Sequence, residues 1–367
     1  MTLPRVLVNM LWCVPGKVGG SEEYLVRQVL GLAEQPGERW PITVVAARGL
    51  REAHPELLDV ADVVEPEFES HGRVRRIAGE ITWLRTHTHS AALTHHGGGT
   101  APVGAHRPYV LTIHDLQFRT YPQYFSRQKR VYLSAVIPTS ARRAAVVAVP
   151  SEYVRGSVID AYGVDPDHVM VVPHGIEPAL AGDVTPEHEL RAVYSLGDGP
   201  VLVYPAVTHP HKQHRFLLRM MRDHWRDPDL RLVLCGGEGA AEHEVAGCTD
   251  PRVRRLGRVP AAHRNGLLAM SAAMVFPSQY EGFGAPLIEA MTLGAPVVCS
   301  DATCMPDVVG DAGLVLPLQP DAWAEVPQMV RDRRAALVAA GHRRAADFTS
   351  AASGRALSDV YARALAR

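Results

Sequence analysis

Short apolar runs recur along the chain, each closed by glycine, proline or a polar loop. In the first half they are VLVNML (6–11), ITVVAA (42–47), YVLTI (109–113), AAVVAVPS (144–151) and VMVVP (169–173). In the second half they are VLVYPA (201–206), RLVLCG (231–236), AAMVFPS (272–278), APVVCS (295–300) and AGLVLP (312–317). Continuous β-branched runs of this kind belong to strands buried on both faces, as in parallel sheets. Between them the apolar spacing turns helical: EEYLVRQVLGLAEQ, HRFLLRMMRDHW and PLIEAMTLG. The alternation predicts two βαβ-built halves, hence an α/β protein of two doubly wound, Rossmann-like parallel-sheet domains facing a cleft. The stretch 178–199 is polar and carries no strand signal, which sets the expected boundary. In sheets of this type ligands gather beyond the carboxyl ends of strands, so the loops after each apolar run are the places to search.

A length of 367 residues agrees with two domains, and a net charge of −1 gives no global attraction to nucleic acid. Only Lys17, Lys129 and Lys212 are lysines among 38 cationic residues, which draws attention to each. Five cysteines without a CxxC pair fit a reduced, cytoplasmic protein better than a disulfide scaffold. No apolar stretch is long enough to span a membrane. The basic amphipathic segment 126–143 allows peripheral contact at the inner face of one.

Gly19-Gly20 follow the first apolar run, with Ser21 as expected N-cap and Glu22 and Glu23 in the first turn. Glycines there let backbone amides approach a phosphate or sugar, although neither GxGxxG nor GK[ST] is present. His114, at a strand end, is suited to a ligand hydroxyl, with Asp115 placed to orient it. The segment THTHSAALTHHGGGT (86–100) reads as a loop, with His96 as an acceptor-side contact. Lys212, opening a helix, is placed to neutralise a phosphate. The spacing of His209, His211 and His214 imitates a metal site but lacks a carboxylate in register. In PSQYEGFGAPLIEAM (277–291), Pro286 suits a first helical turn, leaving the amides of Gly284, Ala285 and Leu287 as donors for a diphosphate. Glu289, one turn inside that helix, is placed to accept two ribose hydroxyls. Glu281, on the loop before it, is placed to bind sugar hydroxyls or balance an oxocarbenium-like transition state.

EGFGAPLIE resembles the E-x7-E motif of retaining GT-B glycosyltransferases of family four (glycosyl transferases group 1). The resemblance takes in the Gly19-Gly20 loop, the His114-Asp115 pair, VPHGIEP (172–178 within 171–178), HPHKQ around Lys212, LGRVPAAHRNGLLAMSAAMVFPS and the closing FTSAASGRALSDVYARAL. It implies an N-terminal acceptor-binding domain of residues 1–180 plus about 346–367, the final helix crossing back to it. A nucleotide-sugar domain of 181–345 would follow. Lys212, with Thr208 and His209, would hold the diphosphate, and Glu289 the ribose. Glu281 with the amides of Gly282, Phe283 and Gly284 would hold the sugar. Gly19 and Gly20 would approach the phosphates, His114 would lie beside the sugar, and the backbone at Arg258 and Val259 would touch the base. Glu281, His114 and Lys212 are the expected catalytic residues.

The implied reaction moves a hexosyl group from a UDP-, GDP- or dTDP-sugar to a hydroxyl of a saccharide, lipid-linked or natural-product acceptor. It needs neither metal nor other cofactor, and the acceptor loops are expected at 66–104 and 114–140. Many relatives carry an arginine six residues before the lysine; here that position is Ala206, so either Thr208, His209 or an arginine elsewhere compensates or the donor is bound more weakly. A nucleotide-sugar epimerase and a sugar-nucleotide-binding protein weakened in catalysis are the alternatives.

Overall fold

The computed structural model describes residues 3–37, 39–68 and 72–367. Residues 69–71, inside the expected acceptor loop 66–104, lie outside the described residues. The chain divides into two compact units, residues 1–175 with 349–367 and residues 176–348.

The first unit contains a seven-stranded, all-parallel sheet: β1 (Val6–Met10), β2 (Ile42–Ala46), β3 (Asp62–Val64), β4 (Leu93–His96), β5 (Tyr109–Thr112), β6 (Val146–Val149) and β7 (Val169–Val171). Their order is β3-β2-β1-β4-β5-β6-β7. The second unit contains β8 (Val201–Pro205), β9 (Arg231–Cys235), β10 (Val253–Gly257), β11 (Ala273–Phe276), β12 (Val297–Ser300) and β13 (Leu314–Leu316), ordered β10-β9-β8-β11-β12-β13. In both sheets the chain reverses its direction of growth beside the first strand, between β1 and β4 and between β8 and β11. Those reversals are the switch points at which such sheets open a crevice for ligands.

Each expected apolar run forms a strand, and β1, β2, β4, β5, β6, β11 and β12 are buried at every position. Three further strands carry no apolar run. β3 and β10 are sheet edges. β4 corrects the reading of 86–100 as one loop: Leu93–His96 pairs with β1 and β5 at the centre of the sheet. Its two histidines have partners inside the protein, whereas Thr94 Oγ1 and His96 Nε2 are buried without one among the described residues. His95 hydrogen-bonds Tyr361 at 2.9 Å and Thr112 at 2.7 Å, and His96 meets Asn9 at 3.2 Å. The expected boundary stretch holds a helix, Glu187–Tyr194, and the division lies before it.

The C-terminal helix Ser350–Leu365 belongs to the first unit and packs on Gly20–Ala33. Gln35 donates to the Ala351 carbonyl at 2.8 Å, Trp40 to Ser358 at 2.9 Å, and Ser353 to the Pro173 carbonyl at 2.6 Å. Two glycines make the crossing close. A Cβ on Gly354 would stand 2.1 Å from the Gly31 carbonyl group, and one on Gly31 would stand 2.0 Å from the Ser350 oxygen. Gly354→Val is therefore expected to destabilise the first unit by about 3 kcal/mol. A calorimetric melt would show this as a drop of roughly 6–12 °C; an unchanged transition would mean the helices part without cost.

Candidate functional site

The carboxyl ends of β8 and β11 flank the switch point of the second sheet, and two charged side chains meet there. Lys212 lies in a single tight turn, Pro210–Lys212, rather than in the first helical turn as expected; the helix begins at His214, after Gln213 with φ of 56°. Its ammonium donates to Glu281 Oε1 at 2.5 Å, with both side chains largely buried (17% and 13% exposed). The backbone holds this pair in place. Tyr204 Oη donates to the Lys212 carbonyl at 2.7 Å, and the Gln279 amide to the His211 carbonyl at 2.7 Å. The Glu281 amide donates to Thr303 Oγ1 at 3.1 Å, and its carbonyl accepts from Cys304 at 3.4 Å. A lysine ammonium has three N–H donors, so the contact to Glu281 leaves two for an anion.

Beyond Glu281 the chain turns through Gly284, whose φ of 84° favours glycine, and enters the helix Ala285–Thr292 with Pro286 in its first turn. A side chain at 284 would also meet Leu287 at 2.9 Å. One expectation is corrected here. The Leu287 amide donates to the Gly284 carbonyl at 2.9 Å, so it closes the turn instead of facing a ligand. Phe283 is buried edge-on against Phe348, with centroids 5.4 Å apart, so only its backbone is placed to meet a ligand. Glu289 is buried, and Arg264 lies 3.6 Å from its carboxylate. Arg264 was not singled out from sequence; the helical pattern of LGRVPAAHRNGLLAM gives no sign of which carboxylate it meets.

Thr208 does not stand open. Its hydroxyl donates to Glu242 at 2.5 Å and accepts from the Gly239 amide at 2.7 Å, while Glu242 pairs with Arg255 at 3.0 Å. Arg255 in turn donates to the Gly236 carbonyl at 2.9 Å. The Ala206 carbonyl lies against Gly236, where a Cβ would stand 2.2 Å from it. The Arg258 guanidinium lies over Gly237, 3.0 Å from the position of a Cβ there. Two guanidinium groups, of Arg255 and Arg258, thus lie at the glycine loop beside Ala206, where the sequence left open which arginine would stand in for the missing one. Val259 follows on a half-buried stretch. His209 is exposed and stacks on His211 at 5.7 Å. Burial, then the Lys212 charge, push His211 down to about 3, so the pair is neutral beside the ammonium. Among the described residues no three His, Cys, Asp or Glu side chains gather as a metal site.

In the first unit, the residues at the ends of β1, β4 and β5 form a second group. Gly19 (φ 65°) caps the helix Gly20–Ala33 in place of the expected Ser21, and both glycines are exposed with open space around them. Glu22 anchors the loop before them by accepting from the Gly16 amide at 2.9 Å and meeting His54 at 2.9 Å. His54 also meets Glu56 at 3.0 Å. Burial alone would lower its pKa, but the two carboxylates outweigh burial and raise it. His114 Nε2 lies 2.8 Å from the Gly97 carbonyl. A carbonyl only accepts, so this nitrogen carries the proton and Nδ1 is left as an acceptor for a hydroxyl. Burial pushes His114 down to about 4, keeping the ring neutral. Asp115 instead accepts from the Gln117 amide at 2.8 Å. His96 is no loop contact: it lies inside β4, 1% exposed, its pKa pushed down to about 3 by burial.

Residues 199–352 match the family model described as Glycosyl transferases group 1, and residues 18–180 that described as Glycosyltransferase Family 4. The chain belongs to the family-four, group 1 glycosyltransferases. Within that family it is 30% identical over 246 residues to "O-antigen chain mannosyltransferase B" of Escherichia coli, covering 59% of this chain and 63% of that protein. To "Alpha-maltose-1-phosphate synthase" of Mycolicibacterium smegmatis it is 27% identical over 231 residues, covering 59% of each. The chain therefore spans less than two thirds of these curated relatives. The GT-B fold is shown by the crystal structure of Anabaena Alr3699/HepE in complex with UDP and glucose. That structure has a TM-score of 0.76 and 18% identity over 98% of this chain and 99% of that one. WaaG, "a glycosyltransferase involved in lipopolysaccharide biosynthesis", has a TM-score of 0.71 at 15% identity, over 96% of this chain and 98% of that one.

Proposed function

We propose that this protein transfers a hexosyl group, with retention, from a nucleotide-diphosphate sugar to a hydroxyl of a saccharide, lipid-linked or natural-product acceptor. The observation that carries the reading is the Lys212–Glu281 pair at the switch point of the second sheet, with Gly284 opening a helix beside it and Glu289 inside that helix. Lys212 and backbone amides at residues 282–285 stabilise the diphosphate as negative charge grows on it. Glu281 holds sugar hydroxyls, and Glu289 the ribose. The bond from the anomeric carbon to the diphosphate oxygen breaks while the acceptor oxygen bonds that carbon on the same face. The acceptor's proton passes to the leaving diphosphate, so no side-chain nucleophile is required. His114 Nδ1 accepts from a sugar hydroxyl. Mannosyltransferases among the relatives, and a UDP-glucose complex among the fold neighbours, support a hexose and a nucleotide carrier.

Screening UDP-, GDP- and dTDP-sugars by thermal shift tests the donor. The right one at a hundred times its Kd stabilises the unit it binds by about 2.7 kcal/mol, roughly 5–10 °C. NMR of the product from an α-linked donor should then show an α-linkage. A β-linked product, or a melting temperature that no donor moves, would count against the reading. No helix among the described residues is long and apolar enough to cross a membrane. Peripheral contact through Arg127–Arg143, which exposes Val131 to 64%, is part of the proposal for a lipid-linked acceptor.

A further inference from the structure

We propose that residues 176–348 carry a second anion site, distinct from the Lys212–Glu281 site, that takes a free ligand bearing two or more phosphoryl groups. A groove of about 1260 Å³ runs beside the helix His214–Asp223, and five arginines and two carboxylates line it. Arg215, Arg219 and Arg222 recur at helical spacing and are exposed, as is Arg226 beyond the helix end.

The charges are not balanced within the protein. Arg252 is committed to structure: it pairs with Asp250 at 2.7 Å and donates to the Met221 carbonyl at 2.5 Å. Arg222 pairs with Asp223 at 2.7 Å. Arg215 and Arg219 have no ion-pair partner among the described residues, although they stand four residues apart, where like charges oppose a helix. Arg219 lies over the Phe216 ring, 5.5 Å from its centroid, which fixes the guanidinium without neutralising it. Arg226 donates only to a backbone carbonyl, that of Asp223 at 3.3 Å. Glu244 is the remaining carboxylate of the lining, and Asp223 beside the groove is shared between Arg222 and, at longer range, Arg219, so the lining keeps a net positive charge.

Planar guanidinium forks match phosphate oxygens two at a time, which a single lysine does not do. The groove exceeds the roughly 300–1,000 Å³ of ordinary small-ligand pockets, so one orthophosphate would leave most of it unfilled. Its concave walls suit an extended oligophosphate in solution better than the flat headgroup layer of a bilayer.

Inorganic tripolyphosphate, titrated calorimetrically into the full chain, tests the site. Saturable binding is expected in wild type and must persist in Lys212→Ala, which removes the phosphate-holding cation of the proposed donor site and with it any tripolyphosphate bound there. Affinity should fall at least tenfold in Arg215→Glu/Arg219→Glu, whose surface changes leave the circular dichroism spectrum as in wild type, and should weaken with added salt. Binding that disappears in Lys212→Ala but survives the arginine changes would overturn the proposal, as would no binding at all. Phosphatidylglycerol vesicles that sediment with wild type but not with the arginine variant would also overturn it, by assigning these arginines to a lipid surface.

Discussion

On the proposed function, Lys212→Ala is expected to lower kcat/KM for sugar transfer by about 10²–10³, with most of the loss in kcat. The ammonium is held rather than mobile: its carbonyl is tied to Tyr204 and its Nζ to Glu281, 2.5 Å away. A fixed positive group acts on charge that develops in the transition state, so its removal costs more in rate than in donor binding. Glu281 lies only 13% exposed, and truncating its partner leaves a carboxylate without its counter-charge. A structural explanation must therefore be kept apart from a chemical one. Glu281→Gln separates them, since it keeps the shape and a hydrogen-bonding partner for Lys212 while removing the charge proposed to meet the sugar. If both variants melt near the wild-type temperature and both lose transfer, the pair acts on the reaction. Lys212→Ala with activity within threefold of wild type would place the donor diphosphate elsewhere.

Much of the frame behind this site was legible in the residues, because parallel strands must be apolar along their whole length when helices cover both faces. VLVYPA, AAMVFPS and APVVCS announce β8, β11 and β12 by that rule alone. β4 escaped it because its histidines meet partners from distant elements, while Thr94 Oγ1 and His96 Nε2 stay buried without one among the described residues. Thr112, Tyr361 and Asn9, the partners of His95 and His96, come from 17, 266 and 87 residues away, and no local pattern encodes them. The same limit applies at the site. Glu281, Gly284 and Glu289 could be singled out because a turn and a helix start fix their spacing within nine residues. That Lys212 would meet Glu281, that Arg264 would meet Glu289, and that Thr208 would be occupied by Glu242 are consequences of strand order. Separations of 69, 25 and 34 residues put such contacts beyond periodicity and capping rules, which act within a few turns.

Mild acid should unfold the first unit ahead of the second. His95 and His96 are 0% and 1% exposed, and burial pushes both down to about 3; His95 is lowered further by the neighbouring His96 and His114. In the second unit His214, 1% exposed, is pushed down to about 4, again by burial. In the unfolded chain each imidazole takes a proton near pH 6.5. Below that value the unfolded state holds protons that the native state refuses, so stability falls with falling pH. Each such histidine contributes a slope of about 1.4 kcal/mol per pH unit, down to its folded pKa. With His114, pushed down to about 4, and His174, also lowered by burial, four such histidines give the first unit a slope of about 5.4 kcal/mol per pH unit between roughly pH 6 and 5, against about 2.7 for His211 and His214 in the second. His54 works in the opposite sense. Its folded pKa is raised, so its stabilisation is complete below the unfolded value and is lost only as pH rises through the folded one. It therefore adds no protection that grows as acid is added below pH 6.5. Calorimetry from pH 8 to 5 should show one transition moving down faster than the other, and Gly354→Val, which weakens the first unit, identifies which. His95→Gln offers amide groups for hydrogen bonding to Tyr361 and Thr112 but does not titrate, so it should flatten the faster slope by about one proton. A slope that His95→Gln leaves unchanged would mean that these buried imidazoles are not what acid attacks.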